Sequence, residues 1–393
     1  MSRLLVIAPQ PFFTARGTPL SVYYRTLVMA EQGVEIDLLT YGIGEDVEIP
    51  GVRIVRIPRL PFTDSVPIGP SWSKAVLDIP MMLWTVGLLL RHRYDVVHAH
   101  EEAVFWCQAL KPVFRFRMIY DMHSSLPQQL ENFRYTTSPL LLGAFRTLER
   151  RALASANVVV TICRELHDHT QALGVAPERH LLIENSIFDD VRLRGPGNRD
   201  AVAVQSCRAC FGPDCRVIVY AGTFEAYQGI ELLVNAFSRV VARLPQARLL
   251  LAGGAEDQVA RIRAMADALG LGATCRLVGH VPKLVASGYM RTADVLVSPR
   301  LHGTNTPLKI YEQLASGRPL VATRIRSHTQ VLDDSTGFLV EPELESLAAG
   351  LIEALTDPAG AERRVRSASV LYEREYSRSS YEGKIRQLLE MIA

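Results

Sequence analysis

Several features that would direct an interpretation are scarce in this sequence of 393 residues. The net charge is only +2, without the concentrated basic excess that is typical of a nucleic-acid-binding protein. Of six cysteines only Cys207, Cys210 and Cys215 cluster, and no nearby histidine completes a zinc set. The first apolar run, Met1–Ala8, is typical of a buried strand and not of a signal peptide. We therefore expect a cytoplasmic protein with reduced thiols and no nucleic-acid partner.

A second group of absences concerns membranes. The apolar segment Ala75–Leu90 is interrupted by Asp78 and Pro80, and it falls short of the roughly 20 apolar residues that span a bilayer. Cationic residues 91–93 follow it directly. A core helix is the simpler interpretation, and a helix that lies in the interface at the inner face of a membrane is the alternative.

Two sequence motifs are also missing. No Gly-x-Gly-x-x-Gly follows a predicted strand, which argues against a dinucleotide-dependent oxidoreductase. No Asp-x-Asp pair is present of the kind that holds a metal–diphosphate, so we expect no metal and no cofactor. Hydrophobic residues make up 48% of the chain and charged residues 21%, which is typical of globular domains and excludes wholesale disorder.

What the sequence does contain is a regular alternation of short β-branched runs and longer helical patterns, which predicts parallel βαβ units. The predicted strands of the first half are Leu4–Ala8, Glu35–Thr40, Arg53–Ile57, Asp95–His98, Met118–Asp121, Val158–Ile162 and Leu181–Ile183. Those of the second half are Val217–Ala221, Arg248–Ala252, Arg276–Val278, Val295–Ser298, Leu320–Ala322 and Phe338–Val340. Predicted helices include Pro19–Glu31, Leu140–Ala154, Glu165–Leu173 and Tyr381–Ile392.

The alternation breaks at Arg194–Asp200, which has the Gly-Pro-Gly chemistry of a linker. We therefore predict two doubly wound domains, residues 1–194 and 200–377, with a ligand cleft between them. The C-terminal helix, residues 378–393, would return to the first domain. Ligands of such folds bind at the carboxyl ends of the strands.

The most informative segment is Ser298–Thr323, which predicts a strand end, a glycine-containing loop, a short helix and another strand. Thr306 is predicted to cap the helix, with Pro307 in its first position. An apolar stripe would face the core, and its members are Leu308, Tyr311, Leu314 and Ala315. Lys309 and Glu312 lie on the polar side. An ammonium near free N–H groups, with a carboxylate one turn later, favours a phosphate-bearing ligand with sugar hydroxyls, although an ordinary solvated helix has the same pattern.

Histidines mark the ends of two neighbouring predicted strands. His98 and His100 lie on the same side if the first strand continues, and His100 is nearer its carboxyl end. His123 ends the next strand. We interpret His98 as a core residue and the other two as polar groups of the cleft. Gly17 and Gly222 follow the first strands of the two halves, where glycine lets a backbone approach a ligand.

Taken together, these segments resemble the retaining family 4 glycosyltransferases, which have the GT-B fold. The resemblance covers nearly the whole chain and is strongest over Asn305–Thr323, and weaker at Asp95–His100 and Gly253-Gly254. It implies an α/β protein of two Rossmann-like domains that face each other across a cleft. The donor, a nucleotide sugar, would bind the C-terminal domain. The acceptor, a sugar or a lipid-linked molecule of the kind used in cell-surface polysaccharide or glycolipid assembly, would bind the N-terminal one. The apolar segment 81–90 favours a lipid-linked or membrane-proximal acceptor, and with it peripheral membrane contact.

The resemblance also implies roles for single residues. Those assigned to catalysis are His100, Lys309 and Glu312. Those assigned to the donor are Gly17, Gly222, Gln228, Arg300, Asn305, Thr306, Lys309 and Glu312. Those assigned to the acceptor side are Thr18 and His123. Glu312 would bind the ribose diol, and His100 would steady the donor sugar or the developing positive charge.

Three positions depart from the family pattern. Thr304 replaces a glutamate, and Thr223 and Gln228 replace an arginine and a lysine that balance the diphosphate. Lys309 and Arg300 are the cations that we expect to compensate. The implied reaction transfers a hexosyl or N-acetylhexosaminyl group with retention, through an oxocarbenium-like state, and the leaving diphosphate takes the proton of the acceptor. A nucleotide-sugar epimerase and a non-catalytic nucleotide-sugar-binding protein remain as alternatives.

Overall fold

The computed structural model describes residues 3–13, 17–60, 71–132, 138–185, 206–212 and 214–393. The chain divides into two compact units, and the first comprises Met1–Asn185 together with Ser379–Ala393. The second comprises Ser186–Arg378. The predicted linker Arg194–Asp200 lies outside the described residues.

The first unit is a seven-stranded parallel sheet in the order β3-β2-β1-β4-β5-β6-β7. Its strands are β1 Leu4–Ala8, β2 Ile36–Thr40, β3 Val52–Arg56, β4 Val96–His100, β5 Arg117–Met122, β6 Val158–Thr161 and β7 His180–Leu182. The helices in its first segment, which ends at Asn185, are α1 Gly17–Glu31, α2 Trp72–Arg91, α3 Ala103–Phe114, α4 Leu126–Asn132, α5 Pro139–Ser155 and α6 Arg164–Ala172.

The second unit is a six-stranded parallel sheet in the order β10-β9-β8-β11-β12-β13. Its strands are β8 Arg216–Ala221, β9 Ala247–Ala252, β10 Cys275–Gly279, β11 Val295–Ser298, β12 Leu320–Thr323 and β13 Phe338–Val340. Its helices are α7 Ile230–Arg243, α8 Glu256–Ala268, α9 Lys283–Thr292, α10 Leu308–Ala315, α11 Arg326–Thr329, α12 Leu344–Thr356 and α13 Pro358–Glu375. The last helix, α14 Arg378–Ile392, packs in the first unit.

Alternating side chains of the strands enter two separate cores in the second unit. Ile218 and Leu249 pack against helices α7 and α12 on one face. Val219 and Leu250 pack with residues of α9, α10 and α13 on the other. A strand that is buried on both faces must be apolar at every position, which is why these strands appear in the sequence as continuous apolar runs. The predicted doubly wound α/β class is confirmed, and the predicted strands agree with the observed ones to within a residue or two at each end.

Helix α14 is tied to the first unit by polar contacts along its length. Tyr381 Oη lies 3.4 Å from Nε of Arg25, a buried residue of α1. Farther along, Lys384 Nζ donates to Glu184 Oε2 at 2.7 Å. Arg25 also pairs with the buried carboxylate of Asp121, so its contact with Tyr381 connects the C-terminal helix to that buried ion pair.

Candidate active site

A cavity of about 260 Å³ opens at the carboxyl ends of β8 and β9 in the second unit. Its lining residues include both glycine turns after these strands and two polar side chains of α10. They are Ala221, Gly222, Thr223, Ala252, Gly253, Gly254, His280, Val281, Lys283, Ala286, Met290, Lys309 and Glu312. Three residues predicted for the donor therefore share one cavity, at the strand edge where doubly wound folds bind ligands.

Close backbone approach explains the glycines of this edge. Gly253 has φ +120°, and a Cβ on it would overlap the carbonyl oxygen of Gly222. A Cβ on Gly222, which has φ +156°, would lie 2.9 Å from Tyr220 Oη and 3.2 Å from Lys309 Nζ. A side chain at either position would push the two loops apart or displace the lysine, so only glycine leaves the cavity open.

Lys309 lines the cavity, and two hydrogen bonds hold its ammonium group in place. Its Nζ donates to Gln228 Oε1 at 2.9 Å and to Tyr220 Oη at 3.1 Å, and it lies 4.2 Å from the centre of the Tyr220 ring. Burial, and then the nearby Arg300 guanidinium, lower the pKa of Lys309 to about 7, although the Glu312 carboxylate opposes the shift. An anionic ligand in the cavity would favour the charged ammonium.

Helix α10 begins one residue later than predicted. Pro307, with φ −65° and ψ 135°, is the N-cap residue of Leu308–Ala315, and the Thr306 hydroxyl makes no hydrogen bond to any described residue. The predicted cap is therefore wrong, because the extended ψ of Pro307 delays the first helical turn. The cap is replaced by a backbone contact, in which Ile310 N donates to Pro307 O at 2.9 Å.

The buried stripe of α10 is also rotated from its predicted position. Ile310, Tyr311 and Leu314 are buried, whereas Ala315 is exposed. The ring of Tyr311 packs on Tyr376 at the end of α13, with centroids 4.8 Å apart. This tertiary contact sets the rotation of the helix, and it leaves the half-buried side chains of Lys309 and Glu312 to line the cavity.

Four other residues of the second unit that were predicted for the donor, Gln228, Arg300, Asn305 and Thr306, are not among the residues that line the cavity. Arg300 donates from Nε to His302 O at 2.8 Å and from NH1 to Asn305 O at 3.3 Å, and its guanidinium lies over the Tyr227 ring. Arg300 therefore organises the loop before α10. Gln228 accepts a hydrogen bond from Lys309, and its predicted role toward the donor stays a prediction. Contacts of Arg300, Asn305 and Thr306 with a donor stay predictions.

Two cavity residues were not singled out from the sequence. His280 follows β10, and Lys283 is the first residue of α9; both line the same cavity as Lys309. The turn Val278–Val281 predicted a strand end, but nothing in the pattern indicated that its side chains converge with α10. Lys283 adds a second cation to this cavity. The chain has Thr223 and Gln228 at the two positions where the family pattern has an arginine and a lysine.

In the first unit, a buried carboxylate gathers three histidines at the carboxyl ends of β4 and β5. Asp121 lies 3.0 Å from His98 Nε2 and 3.3 Å from both His100 Nδ1 and His123 Nε2. The rings of His98 and His100 stack with centroids 4.4 Å apart, as expected for positions i and i+2 of a strand. His100 Nδ1 also lies 3.1 Å from His123 Nε2.

Arg25 supplies the countercharge of this cluster. Its NH1 forms an ion pair with Asp121 Oδ2, and its NH2 donates to Ile183 O at 3.1 Å. Burial alone would raise the pKa of Asp121, but Arg25 and the histidines hold it well below its ordinary value. Burial lowers the pKa of His100 well below its ordinary value, against the pull of Asp121, so the imidazole is neutral at pH 7.

A metal would compete with Arg25 in this cluster. Donor atoms of His98, His100 and Asp121 lie within 4.8 Å of one another, a spacing that suits a cation. The guanidinium of Arg25 already pairs with the same carboxylate and would repel a dication. The cluster is therefore better described as a closed Arg–Asp–His network than as a metal centre.

Two further predicted residues of the first unit, Gly17 and Thr18, lie at the start of α1. Gly17 is the first residue of α1 and Thr18 is half-buried beside it; residues 14–16, which precede them, lie outside the described part. Directly after His100, Glu101 has φ 48°, an unusual conformation for a side-chain-bearing residue. Lys74 of α2 contacts Glu101 Oε2 at 3.6 Å and Glu102 Oε1 at 3.1 Å. The predicted acceptor-side roles of Thr18 and His123 stay predictions.

Two family models match the chain: a glycosyl transferase 4-like domain over residues 26–186 and glycosyl transferases group 1 over residues 215–357. The chain is 31% identical over 404 residues to phosphatidyl-myo-inositol mannosyltransferase of Mycobacterium tuberculosis, a match that covers 100% of this chain and 97% of the relative. It is 25% identical over 372 residues to D-inositol 3-phosphate glycosyltransferase of Corynebacterium efficiens, covering 89% and 84%.

Solved structures show the same fold. Sucrose-phosphate synthase from Thermosynechococcus elongatus has a TM-score of 0.76 at 19% identity, covering 100% of this chain and 99% of that one. Anabaena HepE in complex with UDP-glucose has a TM-score of 0.68 at 15% identity, covering 99% and 100%. The protein is thus a glycosyltransferase with the GT-B fold. The chain belongs to the family 4 glycosyltransferases.

Proposed function

We propose that this chain is a retaining glycosyltransferase that takes its sugar from a nucleotide-sugar donor bound in the cavity of the second unit. The observation that carries the proposal is the pairing of Lys309 and Glu312 at one cavity wall. Lys309 would neutralise the diphosphate, assisted by Lys283 across the cavity. Glu312 would accept hydrogen bonds from the ribose diol.

The chemistry of the transfer then depends on electrostatics. Breaking the bond between the anomeric carbon and the diphosphate leaves negative charge on phosphate and positive charge on the sugar. Lys309 and Lys283 would stabilise the leaving group, as preorganised cations do in phosphoryl chemistry. The diphosphate oxygen would accept the proton of the attacking hydroxyl, so that no protein nucleophile is needed.

We further propose that the acceptor is a hydroxyl of a cyclitol or sugar, free or lipid-linked, and that no metal takes part. The relatives of M. tuberculosis and C. efficiens are named for inositol-containing acceptors, which supports this class of acceptor. In support of the metal-free part, Lys309 and Lys283 line the cavity and would supply the positive charge that a divalent ion supplies in other enzymes.

The first test is a thermal-shift panel of UDP- and GDP-sugars in EDTA, followed by product analysis with inositol and inositol phosphates. A donor at 100 times its Kd should add about 2.7 kcal/mol to the free energy of unfolding. NMR of the product should show the same anomeric configuration as the donor. Binding without transfer would favour the non-catalytic alternative, and an epimerised donor without acceptor would favour the epimerase. Transfer that requires added divalent ion would contradict the metal-free proposal.

Glu312→Gln should weaken donor binding roughly 10- to 100-fold, because a neutral amide loses the charge-assisted bonds to the diol, which contribute roughly 1.5–3 kcal/mol. The 2′,3′-dideoxyribose analogue of the donor, which lacks both hydroxyls of the diol, should be bound almost equally by both proteins. Glu345→Gln, at an exposed position of α12, is the matched control. Equal donor affinities in folded Glu312→Gln and wild-type protein would remove Glu312 from the ribose site.

A further inference from the structure

Two cysteines at the start of the second unit have the spacing that a disulfide requires. Cys207 and Cys210 are the first and last residues of a 3₁₀ turn that precedes β8, and both are free thiols. In such a turn the side chains of residues i and i+3 are eclipsed, and a rise of about 2 Å per residue separates their Cα atoms by roughly 6 Å. Disulfides form at Cα separations of about 4.4–6.8 Å. The two thiols can therefore join with little movement of the backbone.

Contacts with the rest of the second unit fix the position of this turn. Cys207 N donates to Thr292 Oγ1 at the end of α9, at a distance of 3.0 Å. Arg208 forms an ion pair with Asp294, with NH2 2.7 Å from Oδ1. At the beginning of the turn, Ser206 Oγ accepts a hydrogen bond from Arg208 N at 3.2 Å. The pair of thiols is thus held at one place in the unit, next to α9.

The two thiols differ in their access to solvent. All six cysteines lie in the described part of the chain, and Cys210 is the one that is not buried. Cys207 is fully buried, and burial raises the pKa of its thiol. Thiol–disulfide exchange begins with an accessible thiolate. Cys210 is therefore the thiol that can meet a reagent first, and Cys207 is placed to react after it.

Cys210 lines a cavity of about 380 Å³ next to α8 and β10, a volume that suits a small ligand. Arg263 and Arg276 also line this cavity, together with one acidic residue, Asp267. Arg276 NH1 donates to Cys210 O at 3.0 Å, and Arg263 NH2 lies 3.5 Å from Leu277 O. A backbone carbonyl does not neutralise a guanidinium group, so the two arginines leave a net positive lining that favours an anion.

We propose that this cavity binds a low-molecular-weight disulfide that carries carboxylates, and that Cys210 and Cys207 exchange with it in turn. First, the Cys210 sulfur attacks one sulfur of the reagent and forms a mixed disulfide. The other half of the reagent leaves as a thiol and takes up the proton that Cys210 has lost. Next, the Cys207 sulfur attacks the Cys210 sulfur, and the second half leaves as a thiol with the proton of Cys207. The cysteine pair gives up two electrons, and the reagent is reduced to two thiols.

A contact of Cys210 with α9 connects this exchange to the donor cavity. The Tyr289 hydroxyl forms a hydrogen bond with the Cys210 side chain. Tyr289 belongs to α9, and Lys283 and Met290 of the same helix line the donor cavity. A bond to Cys207 would draw the Cys210 sulfur away from Tyr289, so α9 should shift and donor affinity should fall at least about fivefold. This connection rests on the proposed function; the exchange itself does not.

Oxidised glutathione, which carries carboxylates, is the probe for the exchange. Trypsin cleaves after Arg208 and so separates the two cysteines of the reduced chain into peptides 200–208 and 209–216. After treatment of the full chain, mass spectrometry should find these two peptides linked by a disulfide. Cys207→Ala should stop at the mixed disulfide, with one glutathione on Cys210, and Cys210→Ser should give neither product. Matched controls are Cys215→Ser, in the same peptide as Cys210, and Cys275→Ser, on the same cavity; both should react as wild-type protein does.

A second pair of substitutions tests the charge of the cavity without changing a thiol. Arg263→Gln/Arg276→Gln, at two exposed positions, should slow the reaction with oxidised glutathione about tenfold at low salt and less at high salt. The reaction with uncharged hydroxyethyl disulfide should keep its rate. Arg239→Gln/Arg261→Gln, also at exposed positions, is the matched control.

Four results would overturn the exchange site. They are no reaction of folded wild-type protein with either reagent, equal modification of Cys210→Ser, a link between peptides 209–216 and 264–276, which would make Cys275 the partner, and equal slowing of both reagents by the arginine substitutions. The thermal shift by the nucleotide sugar, measured on reduced and oxidised wild-type protein, tests the connection to the donor cavity. Equal shifts contradict that connection. Absence of a shift in the reduced protein contradicts the proposed function and leaves the exchange standing.

Discussion

Lys309→Ala is expected to lower the affinity for a nucleoside diphosphate about 100-fold and to leave the affinity for the free nucleoside unchanged. The factor corresponds to about 2.7 kcal/mol, within the range for charge-assisted hydrogen bonds to phosphate. The physical reason is the position of Nζ, which contacts Tyr220 and Gln228 at the cavity wall and has no carboxylate hydrogen-bond partner among the described contacts. Lys309→Arg should retain part of the affinity. Isothermal titration with both ligands measures the difference.

The same residue gives donor binding a dependence on pH. Without ligand, Lys309 has a pKa of about 7. A bound diphosphate should raise this pKa, so above pH 7 the lysine takes up a proton when the donor binds. Affinity for a nucleotide sugar should then be full below pH 7 and fall by up to about tenfold per unit as pH rises above it. A nucleotide sugar is the better probe, because its diphosphate is already fully ionised in this range. The fall should disappear in Lys309→Arg, whose guanidinium does not titrate there.

Two results would contradict this role. If Lys309→Ala lowers the affinities for diphosphate and nucleoside equally, the side chain supports the cavity and does not bind phosphate. If the pH dependence is the same in Lys309→Arg and wild-type protein, Lys309 is not the group that titrates.

The parts of the fold that follow from local pattern were predictable from the sequence. β8 and β9 are apolar at successive positions because both faces of their sheet are covered, so their bounds could be read almost to the residue. The start of α10 could not be read in this way. Thr306-Pro307 fits a helix cap and an extended entry equally well, and the contact of Tyr311 with Tyr376, 65 positions apart in sequence, decides the rotation of the helix.

The site residues that were missed share a different cause. Arg25 lies on a helix, where an arginine is normally solvated, yet it is buried against Asp121. One signal was present: Asp121 lies within a predicted buried strand, and a buried carboxylate requires a positive partner. The sequence does not say which of 43 lysines and arginines provides it. His280 and Lys283 reach the cavity only because β10 neighbours β9 in the sheet.

His100→Ala should lower turnover about 100-fold with little effect on donor binding, whereas His98→Ala should mainly lower stability. The two rings are stacked and equally buried, but they differ in their partners. His98 Nε2 lies 3.0 Å from Asp121 Oδ2, the same oxygen that forms the ion pair with Arg25. His100 is the last residue of β4, at the carboxyl end where doubly wound folds bind ligands. Its Nε2, like Nδ1 of His98, has no hydrogen-bond partner among the described residues, so we expect the position at the strand end to decide which ring meets a substrate.

Steady-state kinetics and thermal unfolding of the two variants separate these roles. A 100-fold loss in turnover corresponds to roughly 2.7 kcal/mol of transition-state stabilisation. Losing the bond of His98 to a buried carboxylate should cost about 1.5–3 kcal/mol of unfolding free energy. If His98→Ala does not fold, His98→Asn, which keeps a donor toward Asp121, provides the comparison. Wild-type turnover in a folded His100→Ala enzyme would exclude His100 from the reaction. The role would then pass to His123, because it shares both the His100 contact and the Asp121 carboxylate.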